Sequence, residues 1–157
     1  ISRMRDAELR PVLDFGRGYC RYGCVACTES CPAGALTPLT PEKKQQTRLA
    51  STKLDYDRCI AVVNGQACGA CAEVCPTHAV RMVEQGEGFP TAPDFDAAYC
   101  IGCGACYHVC PVEPRAFVVK GLARHETSSG VRPGGHGIGD SPPASLNGAD
   151  ELQDFPF

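Results

Sequence analysis

The sequence predicts an α+β fold of short helices, small antiparallel strands and long loops, gathered around thiolate sites instead of one large apolar core. Three observations predict it. Twelve cysteines crowd into the first 110 residues of a 157-residue chain. They fall into three similar units, "CRYGCVACTESCPAGAL", "CIAVVNGQACGACAEVCPTHAV" and "CIGCGACYHVCPVEPRAF", each containing a Cys-Pro step. Each Cys-Pro is soon followed by alanine and an apolar residue: Ala35-Leu36, Ala79-Val80 and Ala116-Phe117. Such a unit reads as an extended segment, a cysteine loop and one helical turn. Proline helps to end the turn because it has no amide proton to continue the ladder.

Residues 1–19 form a lead segment, with one short helix before Pro11 and an extended entry into Cys20. Residues 20–120 carry all three units as one domain. Between the first and second units lies "TPLTPEKKQQTRLAS". There Thr40 can cap a helix that has Pro41 at its first position and Glu42 near its positive end. Lys43 stands where a full capping box wants Glu or Gln. Residues 42–48 show no apolar face, which predicts a solvent-exposed insertion. The second and third units are introduced alike, by "LDYDRC" and "DFDAAYC". Residues 121–157 read as a tail. From Arg124 onward Gly, Pro, Ser and Asp dominate, too polar to offset the entropy of ordering, so a mobile tail or a strap on a partner is expected. The terminal "ELQDFPF" reads as a frayed end.

The cysteine spacings select the chemistry. They are C-x3-C-x2-C-x3-C-P at Cys20, Cys24, Cys27 and Cys31, and C-x8-C-x2-C-x3-C-P at Cys59, Cys68, Cys71 and Cys75. The third, at Cys100, Cys103, Cys106 and Cys110, is C-x2-C-x2-C-x3-C-P, the bacterial run for an iron–sulfur cluster. Thiolates at every third position curl around one compact object, and the fourth reaches it from another direction. A disulfide framework gains little from three cysteines within seven residues. Structural zinc prefers two separated pairs, so a third close cysteine is surplus. A lone CxxC suits a redox dithiol. A c-type haem needs histidine directly after CxxC, and here Tyr107 intervenes before His108. Three 4Fe–4S clusters, held by all twelve cysteines, are the expectation.

Which sulfur serves which cluster has two readings. In two-cluster proteins the cysteine before proline ligates the other unit's cluster. Applied to units two and three, this gives Cys59, Cys68, Cys71 and Cys110 for one cluster and Cys100, Cys103, Cys106 and Cys75 for its mate. Cys20, Cys24, Cys27 and Cys31 then close on themselves. The alternative pairs units one and two and leaves unit three self-contained. The standard spacing of unit three favours the first. Gly23, Gly69, Gly102 and Gly104 would let backbone approach a cluster closely, while Ile60, Ile101, Val74 and Val109 would shield it from water. With the quartets complete, His78 and His108 are not expected as ligands, and Tyr19, Tyr22, Tyr99 and Tyr107 read as shielding.

The stretches "GYCRYGCVACTESCPAGALTPLTPEKKQ" and "LDYDRCIAVVNGQACGACAEVCP" resemble the NapG/MauM-type ferredoxin-like proteins, over about residues 10–120. The resemblance implies a bacterial ferredoxin-like poly-cluster fold and electron transfer from a membrane quinol dehydrogenase. It also implies a periplasmic, membrane-associated setting reached by twin-arginine export, with a cytoplasmic one as the alternative. Members of that family usually carry four units where this chain has three, so a fourth unit and an export signal upstream of Ile1 are expected to have been lost or to be absent.

The function expected is an electron-transfer subunit working with redox protein partners inside a larger membrane-associated oxidoreductase complex. The alternative is an iron–sulfur protein whose clusters are mainly structural or sensory. Catalysis by this chain would need an incomplete quartet beside acid–base groups, and neither is visible. "GGHGIG" has the wrong glycine spacing for a dinucleotide loop, and Glu113 with Arg115 reads as a surface pair. No basic stripe with aromatics suggests nucleic acid, and no apolar run reaches the roughly 18 residues of a membrane span. Formal net charge is −3; three oxidised clusters on four thiolates each would carry it to about −9, which favours basic partner faces.

Overall fold

A computed structural model describes residues 13–32, 34, 36–86 and 91–134. Among these, β1 (Thr47–Leu54) pairs antiparallel with β4 (Phe117–Thr127), and β2 (Val80–Glu84) pairs antiparallel with β3 (Thr91–Phe95). The pairing is nested: the strand leading into unit two meets the strand leaving unit three, and the strand leaving unit two meets the one leading into unit three. The two sheets repeat each other in detail. Leu54 faces Phe117 in one, and Phe95 faces Val80 in the other. Asp55 N donates to Ala116 O at 2.8 Å, and Asp96 N donates to Ala79 O at 2.8 Å. Each aspartate also accepts from the amide two residues on, Asp55 from Asp57 and Asp96 from Ala98. The similar leads "LDYDRC" and "DFDAAYC" are thus two copies of one strand-to-loop turn, related by an approximate two-fold axis.

The helices are single turns: α1 (Ala26–Glu29), α2 (Pro41–Gln45), α3 (Ile60–Val63), α4 (Ala70–Glu73) and α5 (Ala105–Val109). Isolated helices this short are unstable, so packing must hold them. α1, α4 and α5 each carry the third cysteine of a unit, Cys27, Cys71 and Cys106, and α4 lies against α5. The apolar core is correspondingly small. Ala79, Val80, Ala116 and Phe117, the pairs that follow the second and third Cys-Pro steps, are all buried. Phe117 meets Phe95 edge-on at 5.9 Å, a favoured aromatic geometry. In unit one Leu36 is exposed, and Ala35 lies outside the described residues.

α2 begins as the sequence predicts, with the Thr40 hydroxyl accepting from Lys43 N and Pro41 in the first turn. The expectation of a solvent-exposed insertion over 42–48 is corrected. Lys44 is 2% exposed, and β1 already starts at Thr47. β1 bulges between Arg48 and Ala50, which turns Leu49 N away from β4 and onto Ile101 O at 2.8 Å. Arg48 reaches the same loop, donating from Nε to Cys100 O and from one terminal nitrogen to Ala97 O and Ala98 O at 2.8–3.2 Å. Because hydrogen bonds from a charged donor contribute about 1.5–3 kcal/mol, Arg48→Ala is expected to cost about 2–3 kcal/mol. Chemical denaturation under anaerobic conditions measures the loss.

Residues 121–134, read from composition as part of a tail, are a strand end and a packed strap. β4 continues to Thr127. Beyond it, Ser128 N donates to Gln46 O, Ser129 N to Ala98 O and Arg132 N to Thr77 O. Arg132 pairs with Asp94 at 2.9 Å, and Arg81 donates to Arg132 O and Pro133 O. The helix expected before Pro11, the glycine run after Gly134 and the terminal "ELQDFPF" lie outside the described residues. No helix among the described residues is long and apolar enough to cross a membrane.

Candidate iron–sulfur sites

The nested strands set units two and three face to face, and their last cysteines change sides. Cys110 lines a small apolar void together with Cys59, Cys68 and Cys71. Ile60, Ala70, Pro111, Val112, Ala116 and Phe117 complete the lining. Cys75 lies within charge range of Cys100, Cys103 and Cys106 and disfavours a second thiolate at each. Cys110 thus lies among the first three cysteines of unit two, and Cys75 lies near the first three of unit three.

The chemistry of both groups fits a cationic iron–sulfur core. All eight thiols of units two and three are unbridged. Burial pushes Cys71 up to about 12, helped by Cys59 and Cys68. Burial likewise pushes Cys103 up to about 11, with Cys75, Cys100 and Cys20 adding to the effect. Cys106 is raised further, by burial first and then by Cys103, Cys100, Cys75 and Cys71. Thiols crowded this way stay protonated until a metal centre supplies compensating charge, so binding releases protons. No group of three or more His, Cys, Asp or Glu among the described residues converges on a single metal ion.

The third loop is the most constrained. Gly102 and Gly104 have φ of +66° and +81°, and each is pressed against another element. A Cβ on Gly102 would strike the backbone of Ala50 in β1, and one on Gly104 would strike the ring of Phe15. Gly102 N donates to Cys100 Sγ at 3.3 Å, the amide-to-sulfur contact expected of these glycines. Gly23 and Gly69 have ordinary room around them. Ile101 is 1% exposed and forms a buried cluster with Cys103 and Ala105, against which Val74, Tyr22 and Cys20 pack. Burial raises the Tyr22 phenol, consistent with shielding.

Unit one attaches to this same cluster. Cys20 N donates to Cys103 O at 2.9 Å. Cys24 is exposed and Cys27 half-buried, so unit one is the more open of the three. His78 occupies a left-handed turn, φ 53°, after Cys75 and donates its amide to Cys75 O. His108 stacks near Tyr19 at 5.6 Å, and its Nδ1 is buried without a hydrogen-bond partner.

Several residues that matter at the sites carry no motif. Arg115 pairs with Glu113 at 3.0 Å, as a surface pair would, but it does more. One terminal nitrogen donates to Tyr107 O, His108 O and Cys110 O, capping the negative end of α5 where the crossing cysteine departs. Its guanidinium lies 5.5 Å over the Tyr107 ring. Thr77, 1% exposed, sets its hydroxyl 3.8 Å from Cys75 Sγ. Thr52 is buried on the β1 face it shares with Ala50, whose backbone meets Gly102 of the third loop, and its hydroxyl has no hydrogen-bond partner.

Residues 64–113 match the family described as the 4Fe-4S dicluster domain, a span that takes in most of unit two and all four cysteines of unit three. Over that span the chain is similar to 4Fe–4S ferredoxin-type proteins. The chain is also similar to the methylamine utilization ferredoxin-type protein MauM of Methylophilus methylotrophus, with 27% identity over 82 residues. The match covers 50% of this chain and 36% of that relative.

Proposed function

We propose that the chain is a one-electron relay holding three 4Fe–4S clusters through all twelve cysteines. Cys20, Cys24, Cys27 and Cys31 hold the first. Cys59, Cys68, Cys71 and Cys110 hold the second, and Cys75, Cys100, Cys103 and Cys106 the third. The observation that supports the reading is the place of Cys110 in one void with Cys59, Cys68 and Cys71, lined otherwise by apolar side chains. Clusters of this kind supply reversible one-electron transfer when bound. The protein's own part is to fix the sulfurs, exclude water with Ile60, Ile101 and Val74, and aim backbone amides at sulfur. With four thiolates per cluster, no ligand position is left for a substrate.

The spatial order differs from the order in sequence. Unit one touches unit three through Cys20 and Cys103, and unit three exchanges a cysteine with unit two. The relay then runs first, third, second. The likeness to a methylamine utilization ferredoxin-type protein supports a place in a larger membrane-associated oxidoreductase, passing electrons from a membrane quinol dehydrogenase to a partner enzyme.

Anaerobic purification with native neighbours, followed by iron analysis and a redox titration read by EPR, tests the proposal. About twelve irons per chain and three signals that reduce and reoxidise without unfolding are expected. A preparation holding zinc alone would overturn it, and clusters that collapse on reduction would leave only a structural role.

A further inference from the structure

We propose that the hydroxyls of Thr52 and Thr77 make the cysteine set of unit three easier to reduce than that of unit two, so that an electron in the paired units rests at the third set. This goes beyond the relay reading and rests on its crossed ligand sets. The two sets sit on repeated scaffolds, which makes their differences informative.

Thr77 follows Cys75 by two residues, and its hydroxyl lies 3.8 Å from Cys75 Sγ. Once that sulfur is a thiolate it has no proton to give, so Thr77 must donate. Thr77 is 1% exposed, and its carbonyl is engaged by Arg132 N, which pins the residue from the strap. Thr52 precedes Cys59 by seven residues on β1 but lies beside Cys100. Its residue is 8% exposed. It shares the buried face of β1 with Ala50, whose backbone meets Gly102 two residues after Cys100, and its hydroxyl is buried without a hydrogen-bond partner. Gly102 N already donates to Cys100 Sγ at 3.3 Å. The third set thus receives donors on two of its four sulfurs.

The repeat supplies the comparison. Val112 follows Cys110 by two residues, in the place Thr77 holds after Cys75, and it lines the void with Cys59, Cys68 and Cys71. Pro93 precedes Cys100 by seven residues, in the place Thr52 holds before Cys59. Valine and proline offer no side-chain donor. At both repeated positions the hydroxyl is therefore on the side of the third set only. One-electron reduction adds negative charge that spreads onto cluster and ligand sulfurs. Donors aimed at those sulfurs stabilise the reduced form and raise the potential.

The test is an anaerobic titration with a one-electron chemical reductant, read by EPR, on the full chain. Thr52→Val with Thr77→Val keeps shape and removes both donors. It is expected to make reduction of one signal about tenfold less favourable, about 59 mV for a one-electron couple, with iron content unchanged. That signal should be the one altered by Cys75→Ala. Thr52→Ser with Thr77→Ser keeps the hydroxyls and should restore the wild-type value, while Val112→Thr should move the other signal upward. Full iron content with both signals unmoved in the valine variant would overturn the proposal. Failure of the ligand reading looks different: the unmutated chain would hold too little iron for two clusters in units two and three, or Cys75→Ala and Cys106→Ala would alter different signals. Either result removes this proposal along with the reading.

Discussion

Gly102→Ala is expected to unseat the third cysteine set, lowering stability by about 2–5 kcal/mol and abolishing one cluster signal. Two costs combine. The left-handed backbone, φ +66°, costs an alanine about 1–2 kcal/mol. The new methyl would overlap the backbone of Ala50, and overpacking of a filled site costs about 1–3 kcal/mol. β1 cannot give way freely, because Ala50 pairs with Gly121 and its neighbour Leu49 N is bonded to Ile101 O. The loop must move instead, taking Gly102 N off Cys100 Sγ. Gly130→Ala separates the two costs. Gly130 also has positive φ, +83°, but nothing lies within 4 Å of a Cβ built there. It should lose only the backbone term and keep every cluster. Iron analysis and chemical denaturation under anaerobic conditions measure both. Equal losses in the two variants would show that Ala50 does not confine the loop.

The sequence made the cysteine chemistry legible because cluster ligation is local: three thiolates must sit within one loop, and that leaves a spacing. It also made the buried Ala79-Val80 and Ala116-Phe117 pairs legible, since each opens a strand directly after a Cys-Pro turn. What it hid is set by contacts across the two-fold repeat. Thr52 shares its buried face with Ala50 against the Cys100 loop, and Arg48 donates to Ala97, Ala98 and Cys100, about fifty residues away, and no local pattern marks them. Arg115 was visible as half of a charge pair, while its three carbonyl partners depend on how α5 ends. Residues 121–127 escaped notice as strand for a related reason. Most of β4 beyond Phe117 is exposed or half-buried, so it lacks the regular alternation that announces a half-buried strand. The ladder to β1 defines it instead. The hydroxyl asymmetry was in principle readable by aligning the two leads, with Thr52 over Pro93 and Thr77 over Val112. The sequence alone does not say which cysteine each faces.

Replacing Cys110 is expected to damage the cluster of unit two, although Cys110 belongs to unit three in sequence. Cys110 lines the void with Cys59, Cys68 and Cys71, and it leaves α5 just where Arg115 fixes its carbonyl. Cys110→Ala and Cys71→Ala should therefore alter the same EPR signal. Cys75→Ala and Cys106→Ala should together alter a different one, since Cys75 stands among the buried thiols of unit three. The double variant Cys71→Ala with Cys110→Ala should lose no further signal beyond either single change, because both sulfurs serve one object and their effects cannot add. Cys71→Ala with Cys75→Ala should lose two signals, although both cysteines lie in the same short motif. A self-contained arrangement predicts the reverse, with Cys110 grouped with Cys106 and Cys75 with Cys71. The exchange also has a mechanical consequence. On the crossed reading each crossing cysteine would tie one half of the repeat to the cluster of the other, so losing either cluster should loosen both sheets. A proteolysis time course on the four single variants would read this as faster cleavage in β2–β3 as well as β1–β4, whichever cluster is missing.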